Sequence, residues 1–128
     1  NEDAVVVDRK YKALRGGGDF YTLYRMHDLH LLVYASMFAG NEAKALAAAN
    51  EMADELTPSV LEGEMADWLE TFAAVQWHVL VRFGRWDTIL AKPLPTDPTL
   101  YAATTTLGLY ARTLALAALC RVDDAVAE

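Results

Sequence analysis

The segments GNEAKA at residues 40–45, GRWDTI at 84–89 and CRVDDA at 120–125 divide this chain into similar parts. In each segment a small residue is followed five positions later by an apolar residue. A small residue of this kind ends one helix, and another helix can begin directly after the turn. We therefore predict three helical hairpins, each of which has one of these segments as its turn.

Apolar residues recur at spacings of three and four on both sides of the turns, which predicts helices. The predicted helices cover about 4–15, 23–39, 42–56, 64–83, 86–91 and 99–120, and a last helix opens at Asp123-Asp124. Glycines at 16–18 predict a flexible loop over 16–19, residues 57–63 form a second predicted loop, and the proline-rich stretch 93–98 predicts an extended connector. The sequence lacks the strict alternation typical of strands, so the predicted fold class is all-α.

The three turns resemble the centre of a tetratricopeptide repeat, in which glycine closes the first helix and a small residue on the second helix packs against it. The resemblance covers about residues 26–128, and the turns lie 44 and 36 residues apart, against about 34 in the family. In the family, two neighbouring positions of the first helix are usually large and apolar. The first repeat has Leu32 and Val33 there, the second has Gln76 and Trp77, and the third has Arg112 and Thr113. Gln76 and Arg112 depart from that pattern.

The resemblance implies a TPR-like α-solenoid, a right-handed α-α superhelix of about three helix pairs after an N-terminal helix. We expect residues 1–128 to form a single domain that is a fragment of a longer chain. The first helix of each pair would line a concave groove. The register then implies that the groove-facing side chains are His27, His30, Tyr34, Met37 and Phe38, then Thr71, Ala74, His78, Val81 and Arg82, then Leu107, Tyr110, Leu114 and Ala117.

The resemblance implies a protein–protein interaction scaffold that binds a peptide or protein segment in this groove. The predicted binding residues are His27, His30, Tyr34, Phe38, His78, Arg82 and Tyr110. Aromatic rings supply contact area, and histidine and arginine supply hydrogen-bond donors. Helical spacing alone also places His27, His30 and Tyr34 on one face of a helix.

Two other interpretations of the histidines stay open at this point. They can be structural, with rings that pack between helices above Tyr21 and Tyr24. Alternatively, His27, His30 and His78 can form a metal or small-ligand site. Zinc needs three or four convergent ligands, whereas Asp28 lies about 100° around the helix from His27, so the local motif supplies only two good ligands.

Composition limits the classes of partner. The net charge of −7 argues against nucleic-acid binding and against anionic membranes. The stretch 98–120 is long enough for a membrane span, but it contains Arg112, which would cost about 2.5–3.5 kcal/mol there, and five threonines. A buried helix is the better interpretation. Cys120 is the only cysteine, which favours a reducing, intracellular and cytoplasmic location, although a targeting segment could lie outside this fragment.

No catalytic arrangement of residues is apparent in the sequence, so we expect neither an enzyme nor a cofactor. Ser36 and Ser59 are the only serines, and neither lies in a Gly-x-Ser-x-Gly motif.

Seven acidic residues and no basic residue occur between positions 51 and 70, at Glu51, Asp54, Glu55, Glu62, Glu64, Asp67 and Glu70. They could dock a basic partner, but we favour a solvated surface, because exposed acids are common and individually weak.

Overall fold

The computed structural model describes residues 2–16 and 20–128, and all regular structure within these ranges is helical. The α-helices are α1 (Glu2–Arg15), α2 (Thr22–Phe38), α3 (Glu42–Glu55), α4 (Pro58–Leu61), α5 (Ala66–Leu69), α6 (Val75–Arg82), α7 (Trp86–Ala91), α8 (Ala102–Ala118) and α9 (Val122–Ala127). A 3₁₀ segment, Glu70–Ala74, joins α5 to α6. The all-α prediction is confirmed for this part of the chain. Most of the loop predicted over 16–19 lies outside the described residues.

The structure differs from the predicted helices in two places. The stretch 57–63 was predicted to be a loop, but it contains α4, which starts at Pro58. Proline suits the first position of a helix, where its missing N–H group would have no partner within the helix. The helix predicted over 64–83 is divided by the 3₁₀ segment, although the backbone stays in the right-handed helical region on both sides of it.

The three predicted turns share one backbone geometry. Gly40, Gly84 and Cys120 have positive φ angles of 71°, 64° and 58°. In each turn the next N–H group donates to the carbonyl five residues earlier, from Asn41 to Ser36 (2.8 Å), from Arg85 to Leu80 (2.9 Å) and from Arg121 to Leu116 (2.9 Å). This pattern is the Schellman motif, which ends a helix with a left-handed residue. The turns are therefore equivalent in structure although the third has no glycine.

The helices pack as hairpins, α2 with α3, α6 with α7 and α8 with α9, and α6 also contacts α2, α3 and α8. One core cluster is centred on Met26, Val33, Met52 and Val79. A second cluster surrounds Trp77 and includes Ile89, Ala111 and Ala115. Helix α8 thus packs against Trp77, as expected from its apolar sequence.

Gly108 is the point at which α8 comes closest to Trp77. A Cβ atom at this position would lie 3.2 Å from two atoms of the Trp77 ring and 2.5 Å from Cδ2 of Leu94. Only glycine leaves room for this approach without movement of its neighbours. None of the helices in the described part of the chain has the length and apolar character that a membrane span requires.

Two of the seven acids between positions 51 and 70, Glu55 and Glu70, are buried, so the expectation of a solvated surface is wrong for them, and a third, Glu51, forms a partly exposed ion pair. Glu51 accepts hydrogen bonds from Arg9 on α1 at 2.9 and 2.5 Å. Glu55 is buried and lies 2.5 Å from Lys12 Nζ and 3.5 Å from the Arg25 guanidinium. These ion pairs join α1 and α2 to α3.

Glu70, which is also buried, caps the N-terminus of α8 from a distant part of the chain. Its Oε1 accepts a hydrogen bond from the Ala103 N–H at 2.8 Å, and its Oε2 accepts one from the Thr104 N–H at 3.2 Å. The Thr104 hydroxyl lies 2.7 Å from the same Oε2. The first N–H groups of a helix have no partners within it, and a carboxylate there also suits the helix dipole. Glu70 therefore orients α8 relative to α5 and α6.

Candidate binding groove

An open cavity of about 400 Å³ lies between α2, α6 and α8. Five of the seven predicted binding residues line it, namely Tyr34, Phe38, His78, Arg82 and Tyr110. Three further residues from the predicted register, Met37, Val81 and Leu107, complete most of the wall. The leading helices of the three hairpins therefore contribute jointly to one concave site.

The cavity has an apolar floor and an aromatic rim. Trp77 is only 1% exposed and lies at its base beside Ala111. Phe38 and Tyr110 on the rim are 85% and 57% exposed. Large exposed aromatic side chains around an apolar cavity are typical of a surface that another molecule covers.

Among the residues that the structure describes, Arg82 is the only charged one that lines the cavity. Among the described residues, it has no carboxylate partner within ion-pair distance, and its guanidinium carbon lies 5.9 Å from the ring centroid of Phe83. Most other arginines are paired: Arg85, for example, donates two hydrogen bonds of 2.5 Å to Glu42. The rim of the cavity therefore presents one positive charge that remains available to a ligand.

Tyr34 and His78 bind each other across the cavity wall. The Tyr34 hydroxyl lies 2.9 Å from Nδ1 of His78, and both side chains are half-buried. Burial lowers the pKa of His78 below its ordinary value, so the imidazole is neutral at pH 7. The pair supplies a polar but uncharged patch in an otherwise apolar wall.

His30 and His27, the two remaining predicted binding residues, lie outside the cavity. The His30 ring packs edge-on against Tyr34 at 4.7 Å and against Phe72 at 5.6 Å, between ring centroids. Its pKa is lowered, first by burial and then by the nearby charges of His27 and His78 when these are protonated. The His27 side chain is exposed, and its Nδ1 lies 3.3 Å from Oδ1 of Asp28. Of the three histidines, His78 thus lines the cavity, and His27 and His30 do not.

The structure bears differently on the other two interpretations of the histidines. The packing of His30 between α2 and the 3₁₀ segment agrees with a structural role, but the expected neighbours of the rings are wrong. Tyr21 and Tyr24 were expected beneath the histidine rings, but Tyr21 stacks on Tyr11 at 4.4 Å and Tyr24 contacts Phe20 at 5.9 Å. Within residues 2–16 and 20–128, no three histidine, cysteine, aspartate or glutamate side chains are close enough together to hold a metal ion. His27, His30 and His78 do not converge on one point.

Trp77 and Ala111 line the cavity but were not among the predicted groove residues. A signal for Trp77 was present, because the sequence around it has an unusually wide apolar stripe, which indicates contacts on more than one side of a helix. Ala111 has no comparable signal. It reaches the cavity because α8 approaches Trp77 closely at Gly108.

Comparison of the chain with protein-family models, curated proteins and solved structures found no significant match. The tetratricopeptide resemblance therefore stays a prediction that rests on the turns and their spacing. The geometry and chemistry of the groove are the remaining evidence on function.

Proposed function

We propose that this chain is a TPR-like scaffold that binds a segment of another protein in the groove between α2, α6 and α8. Three observations support the repeat architecture: the turns share one geometry, each hairpin contacts the next, and Arg85 at the second turn binds Glu42 at the first. In this proposal the hairpins form a right-handed superhelix. The leading helices α2, α6 and α8 line its concave side.

The cavity with its exposed aromatic rim is the observation that carries the proposal. Protein interfaces concentrate their binding energy in aromatic and arginine side chains near the centre of the contact. Phe38, Tyr110 and Arg82 supply these residue types around one apolar depression. Arg82 is the single charged group among the described residues that line this groove, and the other lining residues are apolar or neutral polar side chains.

Site-specific photo-crosslinking tests the proposal. A benzophenone amino acid would replace Tyr110 in the full-length protein, expressed in its native cells, and covalent adducts would be identified by mass spectrometry. We expect a defined adduct that decreases when Arg82→Ala or Phe38→Ser is added. Val126, which is 84% exposed on α9, provides the matched control, because Val126→Ser removes an equally exposed apolar residue outside the groove. Equal adduct yields in all variants would count against the groove.

A further inference from the structure

The solvent-facing side of α2 carries a regular line of uncharged side chains. Tyr24, His27, Leu31, Tyr34 and Phe38 follow one another at spacings of three, four, three and four residues. Tyr24, Leu31 and Phe38 are exposed, as is the His27 side chain, and Tyr34 is half-buried. We call this line the α2 seam. It is about 21 Å long at 1.5 Å per residue.

The opposite side of α2 is buried in the core through Met26, Leu29 and Val33. The helix is therefore largely apolar on both sides. Its two charged residues are Arg25, which is buried, and Asp28, which is half-buried, so neither lies on the seam. A helix that is apolar all round is normally covered on all sides. Alternating spacings of three and four are those with which one helix packs along another.

The groove offers little to the backbone of an extended chain. Such a chain brings one unpaired carbonyl and, except at proline, one N–H group per residue, and each needs a partner when it is buried. Along the cavity the side chains that can form hydrogen bonds are those of Tyr34, His78, Arg82 and Tyr110 and the indole N–H of Trp77, and Tyr34 and His78 already bind each other. A helical segment satisfies its own backbone, so it can cover an apolar surface without those partners.

The charge of Arg82 indicates a further property of the bound segment. Arg82 stands at the end of α6, where it borders the same cavity as Tyr34 and Phe38 of the seam. Within residues 2–16 and 20–128, no acidic residue lines this cavity. A carboxylate on the bound segment would therefore meet a complementary cation, whereas a lysine or arginine would meet a like charge.

We propose that an amphipathic α-helix of the partner protein lies along the α2 seam and enters the groove at Tyr34 and Phe38. It would have apolar residues at spacings of three and four toward the seam and one acidic residue that reaches Arg82. This inference rests on the proposed function and specifies the conformation and chemistry of the bound segment. The seam would bury the apolar side of that helix, and Arg82 would set its direction and register.

Three fluorescein-labelled peptides of about 21 residues test the inference by fluorescence anisotropy with the whole protein. The first has leucine at the heptad a and d positions, one glutamate at a flanking position, and alanine and glutamine elsewhere. The second has the same composition in an order that scatters the leucines. The third replaces the single glutamate by lysine. We expect the first peptide to bind about tenfold more tightly than either of the others.

Two variants of the protein test whether Leu31 and Arg82 contact the bound peptide. Leu31→Glu should weaken binding of the first peptide about tenfold, and Arg82→Glu should reverse the preference between glutamate and lysine. Val126→Glu is the matched control, because it adds the same charge at an exposed apolar position outside the seam and should change neither result. Circular dichroism melts of every variant establish that the fold is retained.

Several outcomes would overturn the inference. Equal binding of the ordered and scattered peptides would refute a helical occupant, and an unchanged charge preference in Arg82→Glu would refute the role of Arg82. If photo-crosslinking captures a partner whose adduct is an extended segment, the scaffold function stands and the helical occupant is wrong. If ultracentrifugation finds a concentration-dependent dimer that Leu31→Glu abolishes, the seam binds a second copy of this chain, and the proposed partner helix is wrong.

Discussion

The hydroxyl of Tyr34 on α2 lies 2.9 Å from Nδ1 of His78 on α6, although 44 residues separate the two in sequence. When the imidazole is neutral and carries its proton on Nε2, Nδ1 accepts a hydrogen bond from the phenol. The pair joins the leading helices of the first two hairpins on the wall of the cavity. It therefore serves both the packing of the hairpins and the shape of the groove.

Removal of the Tyr34 hydroxyl should destabilise the protein. Tyr34→Phe leaves the half-buried Nδ1 of His78 without its partner, which we expect to lower the free energy of unfolding by about 0.5–1.5 kcal/mol in urea titrations. Tyr110→Phe is the matched control, because Tyr110 is exposed and makes no hydrogen bond through its hydroxyl to another described residue. A similar loss in both variants would show that the bond to His78 contributes nothing specific.

Stability should decrease on mild acidification because of the half-buried histidines His30 and His78. Burial lowers the pKa of His78 and of His30 from 6.5 in the folded state. As the pH falls through about 6.5, the unfolded chain binds protons that the folded chain does not, so the free energy of unfolding is largest above that pH and decreases below it. His78→Asn, which can keep an acceptor near Nδ1, should reduce the slope of stability between about pH 7 and about pH 5.5. Identical slopes in chemical denaturation would contradict this assignment.

Loss of the Glu70 carboxylate should be among the more damaging single changes. Glu70→Ala leaves the Ala103 and Thr104 N–H groups without their acceptor, whereas the Thr104 hydroxyl keeps the main-chain carbonyl of residue 70 at 2.9 Å. We expect the free energy of unfolding to fall by about 2–4 kcal/mol. Glu64→Ala removes an exposed acid six residues earlier and should change stability by less than about 0.5 kcal/mol. Comparable melting curves for the two variants would refute the capping role.

A glycine at position 120 should stabilise the third turn. Cys120 has φ of 58°, in the region where a side chain clashes with its own backbone, at a cost of about 1–2 kcal/mol. Part of the gain is offset because glycine is more flexible in the unfolded chain. We therefore expect Cys120→Gly to raise the free energy of unfolding by about 0.5–1 kcal/mol.

The reverse change at the first turn serves as the control for this prediction. A Cβ at Gly40 would meet no atom within 4 Å, so Gly40→Ala tests the backbone conformation alone and should lower stability. Thermal denaturation in which Cys120→Gly melts below the natural protein would contradict the argument.

The positions of the helices could be predicted from the sequence because their signals are local. Apolar spacing within α2 and α8, the glycines at 40 and 84, and the prolines around residue 95 act over a few residues. The similarity of CRVDDA to the other turns predicted a helix end at Cys120, and its positive φ angle agrees. Where the local signal was ambiguous, as at Pro58, a turn of helix was missed.

For the groove as well, the sequence predicted only the part of the arrangement that depends on local spacing. Helical spacing placed Tyr34 and Phe38 on one side of α2, but it could not distinguish His30, which packs against Phe72, from residues that line the cavity. That difference depends on the rotation and separation of neighbouring helices. The approach of α8 at Gly108 fixes one such separation, and the contact is made by residues 31 positions apart.

By itself, the sequence determined that this protein is helical, where its hairpins turn and which residue types its leading helices carry. Only the tertiary structure decided that Glu70 caps α8, that Glu55 is buried with Arg25, and that His78 borders the cavity while His27 stays in solvent. The physical reason is the separation in sequence over which each kind of interaction acts. Helix formation depends on neighbours three and four residues away, whereas burial and pairing of a polar side chain depend on which distant surface packs against it.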